Sequence, residues 1–378
     1  MLTQGDDYPI HQTPDPIAYS GTDRNFYERY WFNGFEPDGS LFWAIGMGCY
    51  PHLNILDSAL TVLVDGKQHC IRGSRVLNME RMDMSVGPLK IEVLKPLWKL
   101  RFTVQETDGI AADLTIEGRV FPIEEPRFTR RVGTRAFLDI TRLTQNGRWS
   151  GWIKVDGKRY DLSPRAMGTR DRSWGVRPIG ISDPQPVVPP GPQGYFWQWT
   201  PLNFKSKSLF FHIAADPDGF AWNKKSVLCP DGVGPEKFRE TSDAQMETRL
   251  QSGTLWPEWG RLTVNYGKDT YRVTLEPFMR FQMKGIGYFH PEWFHGRYHG
   301  QPLRVAREDF TVGELNPQSL ENFHVQMLSK LTLENPDGTQ ETSVGVFEQA
   351  LLGDYEPLGI KSKLEISRWD KHSERTDK

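Results

Sequence analysis

The sequence has little cysteine, no excess of either charge and no long apolar run. Its three cysteines, Cys49, Cys70 and Cys229, are too few and too widely spaced for a disulfide framework or a CxxC-type metal site, and they favour a reducing compartment. Lysine and arginine total 46 and aspartate and glutamate 48, so a net charge of −2 provides no field that attracts nucleic acid or an anionic membrane. We therefore expect no nucleic-acid partner.

Signals for membrane insertion and export are also missing. No run approaches the roughly 18 apolar residues that a membrane-spanning helix needs. The N-terminal sequence MLTQGDDYPIHQTPDP has neither the basic region nor the apolar core of a secretory signal. The sequence therefore predicts a cytoplasmic protein without a membrane span.

Motifs for nucleotide or triad chemistry are absent as well. The chain has no glycine-rich phosphate-binding loop, no GxGxxG after a strand and no GxSxG. We therefore expect no nucleotide cofactor and no serine-hydrolase chemistry.

Glycine, proline and tryptophan are abundant, with 35, 27 and 13 residues. Turn sequences separate runs in which apolar and polar residues alternate, as hairpins require. These turns are PDGS at 37–40, VDGK at 64–67 and 155–158, YGKD at 266–269 and NPDG at 335–338. The pattern predicts an all-β antiparallel chain with little helix. The best helix candidate is 236–250, which contains neither glycine nor proline.

The length of 378 residues indicates two domains or one very large sheet structure. The proline-rich segment 182–194 cannot join a sheet interior and divides the chain almost in half. We predict an N-terminal arm at 1–30, a first β-domain at 31–185, a linker at 186–194 and a second β-domain at 195–378.

The first candidate site is the sequence GTRDRSWGVRP at 168–178. If this segment is a strand, alternation places Thr169, Asp171 and Ser173 on one face and Arg170, Arg172 and Trp174 on the other. In an apolar cavity, burial would raise the pKa of Asp171 towards the range that general acid catalysis needs. Beside an arginine, the pKa would fall and Asp171 would be an ionised anchor. An ion-pair cluster that only ties strands together is the alternative.

The second candidate site is GIGYFHPEWFHGRYHG at 285–300, which holds three of the nine histidines. The spacing of His295 and His299 suits metal ligands on a helix, but Gly296 and Gly300 argue against that helix, so we expect no metal site. A glycine-hinged loop at a barrel mouth, with histidines that act as acid or base, fits better. Solvated loop histidines stacked on aromatic rings are the alternative. Glu348 and His52 are weaker candidates, which we expect to be structural.

The segment 145–178 resembles part of the carotenoid 1,2-hydratase (hydroxyneurosporene synthase) and AttH-like superfamily of two-domain, lipocalin-like proteins. The similarity rests on the G-x-x-D-x-x-W-G core, which is Gly168 to Gly175 here, and on the hairpin before it. The later sequences GYFHPEWFHGRYHG and GVFEQALLGDYEPLG look like second-domain segments of the AttH-like branch.

This resemblance implies two calycin-like antiparallel β-domains in tandem, with a ligand cavity in or between them and no redox cofactor. Its members hydrate or cyclise hydrophobic skeletons, and in the hydratase branch the motif aspartate, matched here by Asp171, is the proton donor. The sequence departs from the hydratase pattern at Thr169, where an aromatic residue is expected, and at Arg170 and Arg172, where histidines are expected. These departures do not favour a long polyene substrate.

We therefore predict a cofactor-independent lyase, hydratase or isomerase that acts on a hydrophobic isoprenoid, polyketide or aromatic molecule by general acid-base chemistry. The candidate catalytic residues, in order of preference, are Asp171, His295, His299, His290 and Tyr298. The candidate substrate-binding residues are Trp174, Arg172, Arg170, Tyr288 and Trp293. The alternative is a non-catalytic, lipocalin-like carrier of a hydrophobic metabolite. A homodimer is the oligomeric form we expect.

Overall fold

The structure is a computed structural model that describes residues 2–181, 185, 188 and 194–361. Strand accounts for 59% and helix for 5% of the structure, which confirms the prediction of an all-β chain with little helix. Most of the predicted linker at 186–194 lies outside the described residues, and the domain boundaries stay a prediction.

The described residues contain twenty-three strands in two antiparallel sheets. The first thirteen are β1 (Phe26–Phe35), β2 (Phe42–Tyr50), β3 (Ile55–Val64), β4 (Lys67–Val76), β5 (Ser85–Val86), β6 (Leu89–Lys95), β7 (Lys99–Thr107), β8 (Ile110–Gly118), β9 (Ile123–Glu124), β10 (Phe128–Val132), β11 (Arg135–Val155), β12 (Lys158–Asp161) and β13 (Met167–Val176). The other ten are β14 (Tyr195–Asn203), β15 (Lys207–Ala215), β16 (Ala221–Pro230), β17 (Arg239–Thr241), β18 (Ala244–Leu250), β19 (Pro257–Tyr266), β20 (Asp269–Gln282), β21 (Leu303–Thr311), β22 (His324–Glu334) and β23 (Gln340–Leu352).

Helix is confined to short 3-10 turns within the described residues. These turns are Gln4–Asp7, Pro235–Lys237, Met283–Ile286, Val312–Glu314, Leu320–Asn322 and Glu356–Leu358. No described helix has the length and apolar character to cross a membrane.

The first sheet is a nearly closed barrel and the second a curled half-barrel, as the predicted pair of lipocalin-like β-domains requires. The first has the strand order β21-β4-β3-β2-β1-β13-β11-β8-β7-β6-β5, with β9, β10 and β12 paired to β11. The second has the order β17-β16-β15-β14-β23-β22-β20-β19-β18. Strand β21 comes from the second half of the chain but pairs with β4 of the first sheet.

The predicted helix at 236–250 is wrong, because this segment forms a 3-10 turn and two strands. In β18 every second residue from Ala244 to Leu250 is buried or partly buried, while Gln245, Glu247 and Arg249 are exposed. Pairing with β19 satisfies the backbone of this segment, so tertiary context overrides its local helix propensity.

All five predicted turns connect consecutive paired strands. At the turn between β3 and β4, Asp65 and Gly66 have φ values of 50° and 75°. Two consecutive residues with positive φ make the type I′ turn that matches the twist of a hairpin. The turn sequences therefore located these hairpins correctly.

Apolar side chains form three large layers. One core, which includes Leu60 and Phe102, fills the first barrel. A second, which includes Leu202 and Phe211, lies in the half-barrel. The third joins the two sheets, because Trp31 of β1 and Trp199 of β14 belong to one buried cluster, with ring centroids 5.4 Å apart. Side chains on the outer face of the first barrel therefore meet the second sheet.

Candidate active site

Strand β13 lies in the middle of the first sheet, between β1 and β11. Its register places Asp171 opposite Trp31 on β1 and Thr144 on β11. Because directly paired residues of antiparallel strands share a face, these three side chains point the same way. Trp31 belongs to the layer between the sheets, so Asp171 faces the second sheet.

The arginines next to Asp171 point to the other side of the strand. Arg170 is paired with Phe32, which belongs to the core of the first barrel. The Arg170 Nε donates to Gln145 Oε1 at 2.6 Å, and burial lowers the pKa of Arg170 to about 10. Arg172 forms an ion pair with Glu28, and its guanidinium lies 4.6 Å from the centre of the Tyr30 ring. The alternation expected at 168–178 is therefore present.

Asp171 has an unusual environment for a carboxyl group. The Asp171 residue is partly exposed to solvent, and its carboxyl accepts no hydrogen bond from the described part of the chain. Burial raises the pKa of Asp171 to about 7, and the neighbouring carboxylates of Glu125 and Glu348 act in the same direction. Arg142 and Arg29 oppose this effect. Near neutral pH, Asp171 is therefore divided between its neutral and ionised forms.

Arg142 and Glu125 form a buried ion pair beside Asp171. The Arg142 Nη2 donates to Glu125 Oε2 at 2.5 Å, and the Glu125 side chain is fully buried. Burial opposes ionisation of Glu125, but Arg142 and His212 lower its pKa, so it stays a carboxylate. The Arg142 guanidinium lies 4.6 Å from the centre of the Trp197 ring, which belongs to the second sheet. This pair fixes a cation next to Asp171.

Glu348 brings a carboxylate to the site from the second sheet. Its Oε1 lies 2.8 Å from His324 Nε2, and its Oε2 accepts from Gln326 Nε2 at 2.6 Å. The Gln326 Oε1 in turn accepts from Asn33 Nδ2 of the first sheet at 3.1 Å. A hydrogen-bonded chain therefore runs across the sheet interface and fixes Glu348.

Two tyrosines complete the group that we name the inter-sheet site, defined by Asp171, Arg142, Glu125, Glu348, Tyr195 and Tyr288. Burial raises the pKa of both phenols. Asp171 and Glu348 further raise the pKa of Tyr288, and Glu348 that of Tyr195. Within the described residues neither hydroxyl has a hydrogen-bond partner, and Tyr195 is 39% exposed. Among the described residues, both phenol hydroxyls therefore lack a hydrogen-bond partner, and that of Tyr195 is on a partly exposed side chain.

His295 is buried beside Tyr288, with ring centroids 4.6 Å apart. Burial, Arg29 and Arg177 hold its pKa well below the ordinary value, so the ring is neutral. Its Nε2 faces the Ile286 carbonyl at 3.1 Å and must donate, which leaves Nδ1 to accept from Arg177 Nη2 at 3.3 Å. Both ring nitrogens are therefore occupied.

The other residues predicted at 285–300 lie apart from Asp171. His290 Nε2 lies 2.9 Å from Glu308 Oε2, while its Nδ1 accepts from the Glu292 and Trp293 amides. His299 lies against Trp293, with centroids 4.2 Å apart, and burial lowers its pKa to about 4. Tyr298 is 56% exposed. The predicted segment is a loop as expected, but only Tyr288 and His295 adjoin the inter-sheet site.

A small pocket lies beside this loop. Its wall includes Arg29, Asp57, Arg72, Trp293, His295 and His299. His295 therefore separates this pocket from the Tyr288 side of the inter-sheet site.

A second cluster of ionisable groups joins β21 to the first sheet. Ligand-type atoms of His69, Asp156 and Asp309 lie within 4.8 Å of one another. The Arg307 guanidinium hydrogen bonds with both carboxylates, at 2.6 and 2.8 Å for Asp156 and 2.8 and 2.9 Å for Asp309. Because Arg307 already neutralises these groups, we assign the cluster a structural role in docking β21.

Asp171 and Tyr288 of the inter-sheet site were predicted from the sequence, whereas Arg142, Glu125 and Tyr195 were not. Each of these three is an ordinary polar residue in its local sequence, and only the pairing of β11 with β13 and the contact of two sheets bring them together. Glu348 was a weaker candidate that we expected to be structural, and its carboxylate adjoins Asp171 in the inter-sheet site.

Solved structures with the same fold cover most of the chain. An AttH-like protein from Nitrosomonas europaea has a TM-score of 0.52 and 12% identity, over 91% of this chain and 98% of that one. CghA has a TM-score of 0.50 and 10% identity, over 88% and 89%. Kievitone hydratase from Nectria haematococca has a TM-score of 0.45 and 11% identity, over 87% and 90%. The first two confirm the resemblance to the AttH-like, lipocalin-like proteins at the level of the fold.

A comparison with curated protein sequences found no match. One family model, by contrast, matches residues 2–361, which is nearly the whole chain and includes every residue of the inter-sheet site. The chain therefore belongs to the family of unknown function DUF8625.

Proposed function

We propose that this protein is a cofactor-independent lyase, hydratase or isomerase that acts on a hydrophobic isoprenoid, polyketide or aromatic molecule. The observation that carries the proposal is the state of Asp171. A partly exposed carboxyl whose pKa is about 7, and which accepts no hydrogen bond from the described protein, is suited to donate a proton to a bound molecule.

The neighbours of Asp171 support both halves of a proton-transfer cycle. Glu125 and Glu348 favour the protonated carboxyl before transfer, and Arg142 stabilises the carboxylate that remains afterwards. In a hydration, Asp171 gives its proton to one alkene carbon, a water oxygen bonds to the other carbon, and the proton lost by that water returns to Asp171. No cofactor is consumed in this cycle.

The geometry supports narrower roles for the other candidates than the sequence indicated. Tyr288 and Tyr195 would donate to a substrate oxygen, since both hydroxyls lack a partner in the described protein. His295 would act as a positioning residue, because its two nitrogens are occupied. Trp31 and Trp199 supply the apolar wall. The cytoplasmic location and the homodimer stay predictions.

The test is turnover in D₂O with the protein and with its Asp171→Asn variant. The probes are hydrophobic alkenes of each class: geraniol, a prenylated isoflavone and a linear polyene polyketide. Mass spectrometry detects hydration as an added water and isomerisation as incorporated deuterium. We expect turnover of at least one probe, and a loss of about 10²- to 10⁴-fold in Asp171→Asn although this variant still folds. Asp113→Asn, which removes a partly exposed carboxylate paired with Arg101, is the control and should keep full activity.

Two outcomes would contradict the proposal. If Asp171→Asn retains full turnover, proton transfer does not depend on this residue. If every probe binds to both proteins with equal affinity and none is converted, the protein is the lipocalin-like carrier instead.

A further inference from the structure

The third arginine of the 168–178 segment, Arg177, has no part in the proposed proton transfer. No carboxylate of the described residues lies within ion-pair distance of its guanidinium, and the groups that most affect its pKa are Tyr27, Tyr288, Arg29 and Tyr50. Its Nε is buried without a hydrogen-bond partner. A buried arginine is ordinarily paired, because an unneutralised charge away from water is costly. Within the described residues, Arg177 is therefore a cation with unused donors.

The protein holds this guanidinium in a fixed orientation. Its central carbon lies 4.4 Å from the centre of the Tyr27 ring and 6.0 Å from that of Tyr288. The Arg177 Nη2 donates to Nδ1 of His295, whose tautomer is set by the Ile286 carbonyl. One of five N–H groups is thus used to position the side chain, while the Nε–H has no partner.

Arg177 and Asp171 both lie near Tyr288, whose ring centre is 6.0 Å from the central guanidinium carbon of Arg177. Both act on the pKa of Tyr288, and Arg177 also acts on that of Tyr195. A second donor near Asp171 also lacks a partner. The indole N–H of Trp31, which is paired with Asp171 across β1 and β13, is buried without a hydrogen-bond partner. Arg177 Nε and Trp31 Nε1 are thus two buried donors without a partner, and an oxygen-bearing ligand would satisfy them.

Building on the proposed function, we propose that the inter-sheet site takes amphiphilic substrates that carry an acidic oxygen, a carboxylate or an enolate, and that Arg177 selects for it. A guanidinium binds such a group with two parallel hydrogen bonds. Tyr288 and Tyr195 donate to the same group, and Trp31 and Trp199 contact the apolar part. Arg177 is thus a specificity residue, whereas Asp171 supplies the proton.

Two fluorescent probes with one aromatic skeleton test this selection without knowledge of the natural substrate. 1-Anilinonaphthalene-8-sulfonate carries an anionic group, and N-phenyl-1-naphthylamine is its neutral counterpart. We expect Arg177→Gln to weaken binding of the anionic probe about 10- to 100-fold and that of the neutral probe less than about twofold. Arg172→Gln is the matched control, because Arg172 lies nearby but is neutralised by Glu28 on the opposite face.

Several results would overturn the inference. These are an equal effect of Arg177→Gln on both probes, an effect of Arg172→Gln as large as that of Arg177→Gln, or no saturable binding of the anionic probe to the unmodified protein. If Arg177→Gln does not fold, Arg177→Lys retains the charge but loses the planar fork, and we expect a smaller loss that is again confined to the anionic probe. The ratio of the affinities for the anionic and the neutral probe is measured without turnover. A result that overturns the role of Arg177 is therefore distinguishable from the result that contradicts the proposed function, which is full turnover in Asp171→Asn.

Discussion

At the scale of single residues, Asp171 links the chemistry of the site to the stability of the protein. Its pKa in the folded state, about 7, lies above the value of 3.8 for an ordinary aspartate, so between these values the folded chain binds more protons than the unfolded chain. The contribution of Asp171 to the stability of the folded state is complete below about pH 4 and is lost as pH rises through 7. The free energy of unfolding changes by about 4 kcal/mol at most between these two limits, since each unit of pKa difference between the folded and unfolded chain corresponds to about 1.4 kcal/mol.

The Asp171→Asn variant should lose this dependence. We expect its free energy of unfolding, measured relative to that of the unmodified protein, to increase by about 1 to 4 kcal/mol between pH 4.5 and pH 8, because only the unmodified protein loses stability over this range. Urea denaturation at both pH values measures this difference. Asp113→Asn should show no such gain, because Arg101 lowers the pKa of Asp113, and that carboxylate is ionised throughout this range. Parallel pH profiles for Asp171→Asn and the unmodified protein would contradict the assigned pKa.

At the scale of elements, strand β21 and the loop before it depend on ionic contacts with the first sheet. Glu308 on β21 contacts both His290 of the loop and Arg72 of β4, at 2.9 and 2.7 Å. The hydrogen bond with His290, together with Arg72, lowers the pKa of Glu308 to about 2 although burial opposes this. These contacts fix the loop that carries Tyr288 and His295.

His290→Ala should loosen this loop without unfolding the sheets. The variant leaves the Glu292 and Trp293 amides without their acceptor, and we expect a cost of about 1 to 3 kcal/mol. Hydrogen exchange followed by mass spectrometry should show faster exchange at 287–300 and unchanged exchange in β14. Glu308→Gln, which keeps an acceptor for His290, should have the smaller effect. Equal protection of the loop in all three proteins would show that these contacts do not hold it.

Turn residues and the alternation of side chains along strands could be predicted from the sequence, because the geometry of a β-sheet imposes both. The turn residues located five hairpins, and strand alternation separated Asp171 from Arg170 and Arg172. Alternation could not tell which face meets the second sheet, because both faces of β13 carry charged residues. The segment 236–250 looked helical because its strand character depends on pairing with β19, which local sequence does not encode.

At the scale of the whole molecule, the site exists only because two sheets from different parts of the chain meet. Asp171 and Arg142 lie on the first sheet, whereas Glu348 and Tyr195 lie on the second. The resemblance carried by the G-x-x-D-x-x-W-G core predicted the paired β-sheets, and the ligand cavity that it also implies stays a prediction. It could not predict Arg142, Glu125 or Arg177, because contacts between distant strands determine their neighbours.

The proposed proton transfer depends most on the pKa of the Asp171 carboxyl, to which residues of both sheets contribute. Carbon-13 NMR of protein labelled at the aspartate side-chain carboxyl, with the resonance assigned by its loss in Asp171→Asn, measures this pKa directly. We predict a titration midpoint near 7, shifted to lower pH in Glu348→Gln because a repelling carboxylate is removed. A midpoint near 4 that does not respond to Glu348→Gln would contradict the account.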